Sequence, residues 1–142
     1  MYKNILLAVD LGDEGSWTKA LPVAVSLAQA YDATLHLVTV VPDFGMSIVG
    51  GYFPKDFEEK AMEAAHQHLH DFAGEHVSKD VDRRCIVAHG RPYEEIIRAA
   101  DDAGCDLIVM ASHRPGLEDY LLGPNAARVV RHSGKSVMVV RP

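Results

Sequence analysis

The residue types best suited to binding chemistry occur together in one polar segment near the C-terminal end, Met110–Asn125. Within it, Ser112, His113 and Arg114 follow directly on an apolar run, and a predicted helix begins at the far end. A helix N-terminus offers free backbone N–H groups and positive partial charge. An arginine adds a planar pair of donors that matches phosphate oxygens. This combination predicts a phosphate-binding loop.

Histidines occur in two settings that suggest other chemistry. His66 and His70 are one turn apart on a predicted helix, a spacing that can bind zinc, but the sequence places no third ligand beside them. Histidine titrates near neutrality, which suits acid–base catalysis, yet no Ser, Cys or carboxylate is fixed to His113 by spacing. We therefore predict neither a metal site nor a catalytic residue, and we assign His113 a positioning role.

Short apolar runs alternate with segments of helical periodicity along the chain. The predicted strands, buried on both faces, are Ile5–Val9, Leu35–Val41, Cys85–Ala88, Leu107–Ala111 and Val137–Val140. The predicted helices are Trp17–Tyr31, Asp56–Val77, Pro92–Ala103 and Asn125–His132. Pro22 predicts that the first helix begins late or bends. The order predicts one α/β domain over residues 1–142, with a parallel sheet covered by helices on both faces.

The carboxyl ends of the predicted strands are the expected ligand edge, because open parallel sheets bind ligands there, where the strand order reverses. The positions that this rule selects are Asp10, Val40–Val41, Ala88–Gly90 and Met110–His113. The last of these coincides with the start of the polar segment. Topology and residue chemistry therefore indicate the same place.

The one long irregular segment, Pro42–Lys55, combines glycines with several large apolar side chains. Such a segment is not expected to be a bare solvated loop. Two interpretations stay open: it packs back on the domain, or it forms a mobile lid or a flap that faces a partner.

The overall composition restricts the class of partner. A formal net charge of −6 argues against a general nucleic-acid binder, because phosphate neutralisation needs a basic face. No apolar run approaches the length of a membrane span, and no signal-peptide pattern opens the chain. We therefore expect a cytoplasmic protein without membrane insertion. Cys85 and Cys105 form neither a CxxC pair nor a zinc framework, which predicts two reduced core thiols.

The order and spacing of several short strings resemble the universal stress protein family, and most closely its bacterial branch with an SHRP-like segment. These strings, which together span essentially the whole chain, are Tyr2–Asp10, Leu107–Val109, Ser112–Pro115, Leu121–Gly123 and Ser136–Arg141. The resemblance implies a three-layer sandwich with a five-stranded parallel sheet in the order 3-2-1-4-5. It also implies ATP across the switch between strands 1 and 4, with Mg²⁺ on its phosphates. A homodimer through the last strand and an unidentified regulatory protein are the implied partners.

The resemblance also assigns roles to individual residues. Those that it places around the adenosine are Ala8, Val9, Asp10, Val40, Met110 and Ala111. The Asp10 carboxylate would contact a ribose hydroxyl and the Val40 backbone would contact adenine, while Ser112, His113 and Arg114 would reach towards the phosphates. From the residues alone, Asp10 equally suits the closing of a strand and the capping of the next helix. Val40 equally suits an ordinary core position.

One part of the family pattern is altered in this chain. ATP-binding members carry a glycine, two residues, a second glycine, nine residues, a third glycine, and then Ser or Thr. Here Ala111 and Arg114 occupy the first two glycine positions, and only eight residues separate Arg114 from Gly123. Pro124 replaces the hydroxyl residue and removes an N–H group. Arg114 and the backbone amides after the proline, those of Asn125 and Ala126, would then hold the phosphates.

The function implied is that of an ATP-binding regulatory protein of the stress response, in which nucleotide occupancy changes how the chain engages a partner. Two alternatives stay open: a nucleotide-free dimeric scaffold, and a slow ATPase or phosphotransferase. The sequence contains neither a Walker A motif nor the paired histidines of an HxGH motif, which argues against rapid turnover.

Overall fold

The computed structural model of the protein describes residues 1–41, 56–112 and 124–141. Its strands are β1 (Asn4–Ala8), β2 (Thr34–Val41), β3 (Arg83–His89), β4 (Leu107–Ala111) and β5 (Ser136–Val140). Its helices are α1 (Ala20–Tyr31), α2 (Phe57–His76), α3 (Pro92–Asp102) and α4 (Pro124–His132), with a short 3₁₀ turn at Glu14–Ser16. The long segment 42–55 lies outside the described residues, so both interpretations of it stay open.

The five strands form one parallel sheet in the order β3-β2-β1-β4-β5, which confirms the predicted topology. β1 pairs with β2 from Asn4↔Thr34 to Ala8↔Val38, and with β4 from Ile5↔Leu107 to Leu7↔Val109. The chain first moves outward from β1 to β3 and then returns to the other side of β1. The strand order therefore reverses between β1 and β4, and a crevice forms at that point.

Helices cover both faces of the sheet, as predicted, because side chains on successive strand positions point to opposite faces. Odd-numbered residues of β1 to β4 pack towards α1 and α2, in a cluster whose fully buried members include Ile5, Leu7, Leu35, Leu37 and Leu69. Even-numbered residues pack towards α3 and α4, in a cluster whose fully buried members include Leu6, Ala100, Ile108 and Val129. We call these two sides the α1/α2 face and the α3/α4 face.

The predicted elements are all present, and their ends shift by a few residues at most. α1 begins at Ala20, so the late start that Pro22 predicts is confirmed. Pro22 lies in the first turn, where its missing N–H group would have had no intrahelical acceptor. α3 opens with Pro92, followed by Glu94 and Glu95 in the first turn, where the helix dipole favours acidic side chains.

The two cysteines are free thiols. Cys105 is fully buried, and burial raises the pKa of its thiol to about 11, with a further contribution from Asp106. Cys85 is half-buried on β3, and burial also raises its pKa. Both groups are therefore protonated at neutral pH and are poor nucleophiles.

Within the described ranges, none of the helices has both the length and the apolar character that crossing a membrane requires.

A polar pair is buried among the amino-terminal ends of the strands, away from the crevice. The Nε2–H group of His36 donates a hydrogen bond to the side-chain oxygen of Asn4, with the two heavy atoms 3.0 Å apart. Only 5% of His36 is exposed. Burial is the main cause that lowers the pKa of this imidazole below its ordinary value of 6.5, and nearby Arg84 lowers it further.

We expect His36→Gln to reduce the loss of stability that the protein shows in acid. The unfolded chain binds a proton at His36 as the pH falls through about 6.5, whereas the folded chain binds it only at a lower pH, so stability falls between these two pKa values. Above that pH the group contributes no pH dependence. Urea denaturation at about pH 7.5 and about pH 5 measures the difference. His68→Gln, at an exposed position of α2, is the control, and an unchanged acid loss in the His36 variant would contradict the assignment.

Candidate functional site

The loop that leaves β1 at the crevice is held by Asp10. The Asp10 N–H donates to the Ser16 hydroxyl (2.9 Å), and that hydroxyl donates back to the Asp10 carbonyl (3.0 Å). The Asp10 carboxylate accepts the Gly12 N–H at 3.0 Å and stays exposed. Asp10 therefore closes an Asx turn rather than capping α1, and its carboxylate is accessible to a ligand.

Four of the residues named from the sequence come together on the α3/α4 face. Ala8, Val40 and Met110 lie near the carboxyl ends of β1, β2 and β4, and Ala126 lies in the first turn of α4. All four belong to the apolar cluster of that face. Ala8 and Val40 are only half-buried, which leaves apolar surface accessible near the switch point.

Two other predicted residues, Val9 and Ala111, pack on the opposite face. Val9 is 4% exposed in the α1/α2 cluster, and Ala111 packs against the same cluster. The Val9 N–H donates to the Val38 carbonyl at 2.8 Å and so continues the sheet. A ligand on the α3/α4 face can therefore contact these residues only through their backbones.

Ser112 is the buried polar group of the crevice. It follows β4 directly and is 3% exposed, and its N–H donates to the Val140 carbonyl at 3.0 Å. Its hydroxyl has no hydrogen-bond partner among the residues that the structure describes. An unsatisfied buried hydroxyl costs about 1–3 kcal/mol. A polar ligand atom at this position would be able to hydrogen-bond to the hydroxyl.

The N-terminus of α4 lies on the same side of the sheet. The helix begins at Pro124, one residue earlier than predicted, so the proline occupies the first helical position. Asn125 is half-buried and Ala126 is 2% exposed. The backbone N–H groups of these two residues have no partner inside the helix and are suitably placed to donate to an anion.

Residues at the end of β3 complete this edge, within the range Ala88–Gly90 that the position of the strand ends selects. Gly90 adopts φ +137° and its N–H donates to the Val41 carbonyl at 3.1 Å. The preceding His89 contacts Glu58 of α2, with Nδ1 and Oε1 2.8 Å apart. A second sequence signal for this turn is the glycine two residues before the helix-opening Pro92.

A cation–aromatic contact joins the first turn of α3 to α4 on the α3/α4 face. The Arg128 guanidinium lies 5.2 Å from the centre of the Tyr93 ring, and the His132 ring lies 5.9 Å from it. Tyr93 itself packs against the apolar cluster of the α3/α4 face. A cation over an aromatic ring is a favourable arrangement, and it helps to pack the start of α3 against α4.

The remaining predicted residues, His113, Arg114 and Gly123, lie outside the described residues. Across residues 1–41, 56–112 and 124–141, no three His, Cys, Asp or Glu side chains are arranged to hold a metal ion.

Comparison with known proteins gives a match over almost the entire chain. The profile described as the Universal stress protein family matches residues 1–141. Universal stress protein G of Escherichia coli O157:H7 is 34% identical over 145 aligned positions, covering 99% of this chain and all of that protein. The crystal structure of a universal stress protein family member from Burkholderia pseudomallei superposes with a TM-score of 0.76 at 27% identity, covering 99% of this chain and 97% of that one.

Two further structures with this fold contain adenine nucleotides. One is a universal stress protein in complex with cAMP (TM-score 0.62, 24% identity, 99% of this chain and 97% of that one). The other is the universal stress protein of Archaeoglobus fulgidus in complex with dAMP (TM-score 0.61, 20% identity, 99% of this chain and 98% of that one). At these identities the likeness is one of fold.

Proposed function

The chain belongs to the universal stress protein family, and on that premise we propose that it binds ATP at the crevice between β1 and β4. Nucleotide occupancy then modulates how it engages a regulatory protein partner. One observation carries the proposal. An accessible apolar surface, the exposed carboxylate of Asp10 and the buried hydroxyl of Ser112 all lie at the carboxyl ends of the strands, on the same edge of the sheet.

The residues present fit the parts of the nucleotide. The accessible apolar surface of Ala8 and Val40 suits a purine base, and the Asp10 carboxylate suits a ribose hydroxyl donor. The Ser112 hydroxyl and the first amides of α4 suit phosphate oxygens. Arg114 would supply the cationic fork, and Mg²⁺ would accompany the phosphates.

The complexes with cAMP and dAMP support an adenine nucleotide only by showing that this fold can bind one, since both proteins are distant relatives. The choice of the triphosphate rests on this chain's own residues. The amides of α4 and the arginine that replaces a glycine at position 114 provide more anion donors than a monophosphate requires.

We expect nucleotide-stripped protein to bind ATP in isothermal titration, and Asp10→Ala and Arg114→Ala each to weaken binding by about tenfold or more. Loss of a hydrogen bond to a charged group has an effect of this size. Asp71→Asn and Arg84→Ala, both at exposed positions on α2 and at the amino end of β3, are the matched controls. ATP affinity no better than millimolar, or an Arg114→Ala variant that binds like the wild type, would contradict the proposal.

We also propose that the chain forms a homodimer through β5. This strand pairs with β4 on one side only and is the last strand in the sheet. Val137 and Val139 pack towards α3 and α4, whereas Met138 is 37% exposed. A partly apolar strand edge with unpaired backbone groups favours association with a second copy.

Met138→Lys is expected to convert the dimer to a monomer at micromolar concentration, because it places a charge on the apolar strip that a second copy would cover. Tyr31→Lys changes a residue of similar exposure, 39%, at the end of α1 and should leave the dimer intact. Sedimentation velocity measures both variants. A monomeric wild type would exclude the proposed interface.

A further inference from the structure

A cavity that is open to solvent lies between α1 and the end of α2, on the face of the sheet opposite the nucleotide crevice. Its volume is about 520 Å³, which is within the range that holds small organic ligands. Trp17, Pro22 and Val25 form its apolar wall on the α1 side. Glu75 and His76, from the last turn of α2, contribute polar groups.

Three aromatic rings pack together beside this cavity, and two of them, Trp17 and His76, belong to its lining. Trp17 meets Phe72 edge to face, with ring centres 5.0 Å apart at 77°. His76 lies 4.9 Å from Trp17 and 4.7 Å from Phe72. Because Phe72 is 6% exposed and belongs to the α1/α2 cluster, the core holds the other two rings in place. A preformed aromatic wall lowers the entropic cost of binding a flat or apolar group.

The charge of the cavity selects the class of ligand. Among the described residues that line it, Glu75 is the one with a formal charge, and its Oε2 atom lies 3.9 Å from the His76 Nε2 atom. The nearby lysines Lys19 and Lys79 do not belong to the lining. The hydroxyls of Thr18 and Ser78 donate within the protein, to the Glu14 carbonyl and to Asp80. A cation that enters the cavity would therefore meet the largely exposed Glu75 carboxylate and the indole ring of Trp17, both of which attract positive charge.

From this geometry we infer that the cavity between α1 and α2 is a second ligand site, one that takes a small organic cation with an aromatic or apolar body, such as an arylalkylamine. The apolar body packs on the wall formed by Trp17 and Val25, and the ammonium lies near Glu75. The site shares no lining residue with the nucleotide crevice, so it stands independently of the proposed ATP function.

Trp17 is the single tryptophan of the chain, so intrinsic fluorescence reports on this cavity directly. Titration with phenethylamine should give a saturable change, also seen in the indole N–H resonance of Trp17. The neutral 2-phenylethanol and the anionic phenylacetate should bind at least about fivefold more weakly, and added salt should weaken the amine. Equal affinity for the three probes, or no saturation by phenethylamine up to about 10 mM, would overturn the inference.

Two pairs of variants separate the contributions of charge and space. Glu75→Gln should weaken phenethylamine binding about twofold to fivefold, as for an exposed ion pair, whereas Glu63→Gln on the same helix should not. Ser26→Phe places a ring in the cavity from an exposed position of α1 and should abolish binding, whereas Ala64→Phe, at an exposed position of α2 about three turns before Glu75, should not. Equal effects within either pair would contradict the site. ATP affinity, measured on all four variants, should be unchanged and shows whether a failure concerns this site alone.

Discussion

Replacing Ile108 with alanine is expected to lower the free energy of unfolding by about 2–5 kcal/mol, the usual range when a large core side chain is truncated. Ile108 is fully buried at the centre of β4 and belongs to the cluster beneath the α3/α4 face. It is paired across the sheet with Leu6 and Val137. The residues around it are held in place by β1, α3 and α4, so they cannot move far enough to fill the space that the substitution leaves.

A matched comparison uses Val137→Ala on the same ladder. Val137 is the register partner of Ile108 on β5, but it is half-buried at the sheet edge and loses fewer contacts. We expect it to cost less than half as much in urea denaturation. If the two substitutions cost the same, the core of this face is not where the structure places it.

Gly90→Ala is expected to destabilise the protein by about 1–3 kcal/mol, since two effects act together. The residue adopts φ +137°, which side chains other than glycine's rarely tolerate. A Cβ atom there would lie 3.1 Å from the Glu95 Oε1 atom. Glu95 is 9% exposed, and its Oε1 atom accepts a hydrogen bond from Arg98 Nη1 at 2.7 Å, so the carboxylate cannot easily move away.

Two other glycines provide the controls for this prediction. Gly104 has φ +66° but no atom within 4 Å of an added Cβ, so Gly104→Ala measures the conformational cost alone, about 1 kcal/mol. Gly134 has neither a positive φ nor a close neighbour, so Gly134→Ala should be nearly neutral. The expected order of cost in thermal or urea denaturation is therefore Gly90, Gly104, Gly134. A Gly90 variant as stable as the Gly134 variant would contradict the argument.

The secondary structure of this protein follows from its sequence, because the signals are local. Continuous apolar runs such as Leu107–Ala111 indicate strands buried on both faces. Pro22 and Pro92 mark helix starts through a missing N–H group and a restricted φ. The strand order does not follow in this way, because periodicity shows which segments are strands but not which strands are neighbours in the sheet. It came from the family resemblance, and the sheet confirms it.

The sequence by itself also predicts the edge of the sheet at which we propose that the nucleotide binds, since polar residues such as Asp10 and Ser112 directly follow buried strands. Only the tertiary structure decided which side chains share a face there. Because successive side chains of a strand point to opposite faces, Ala8 and Val40 lie together on the α3/α4 face and Val9 lies on the α1/α2 face. The cavity beside Trp17 was likewise hidden from sequence reasoning, because its walls are distant in the chain and meet only when α1 and α2 pack on one face of the sheet.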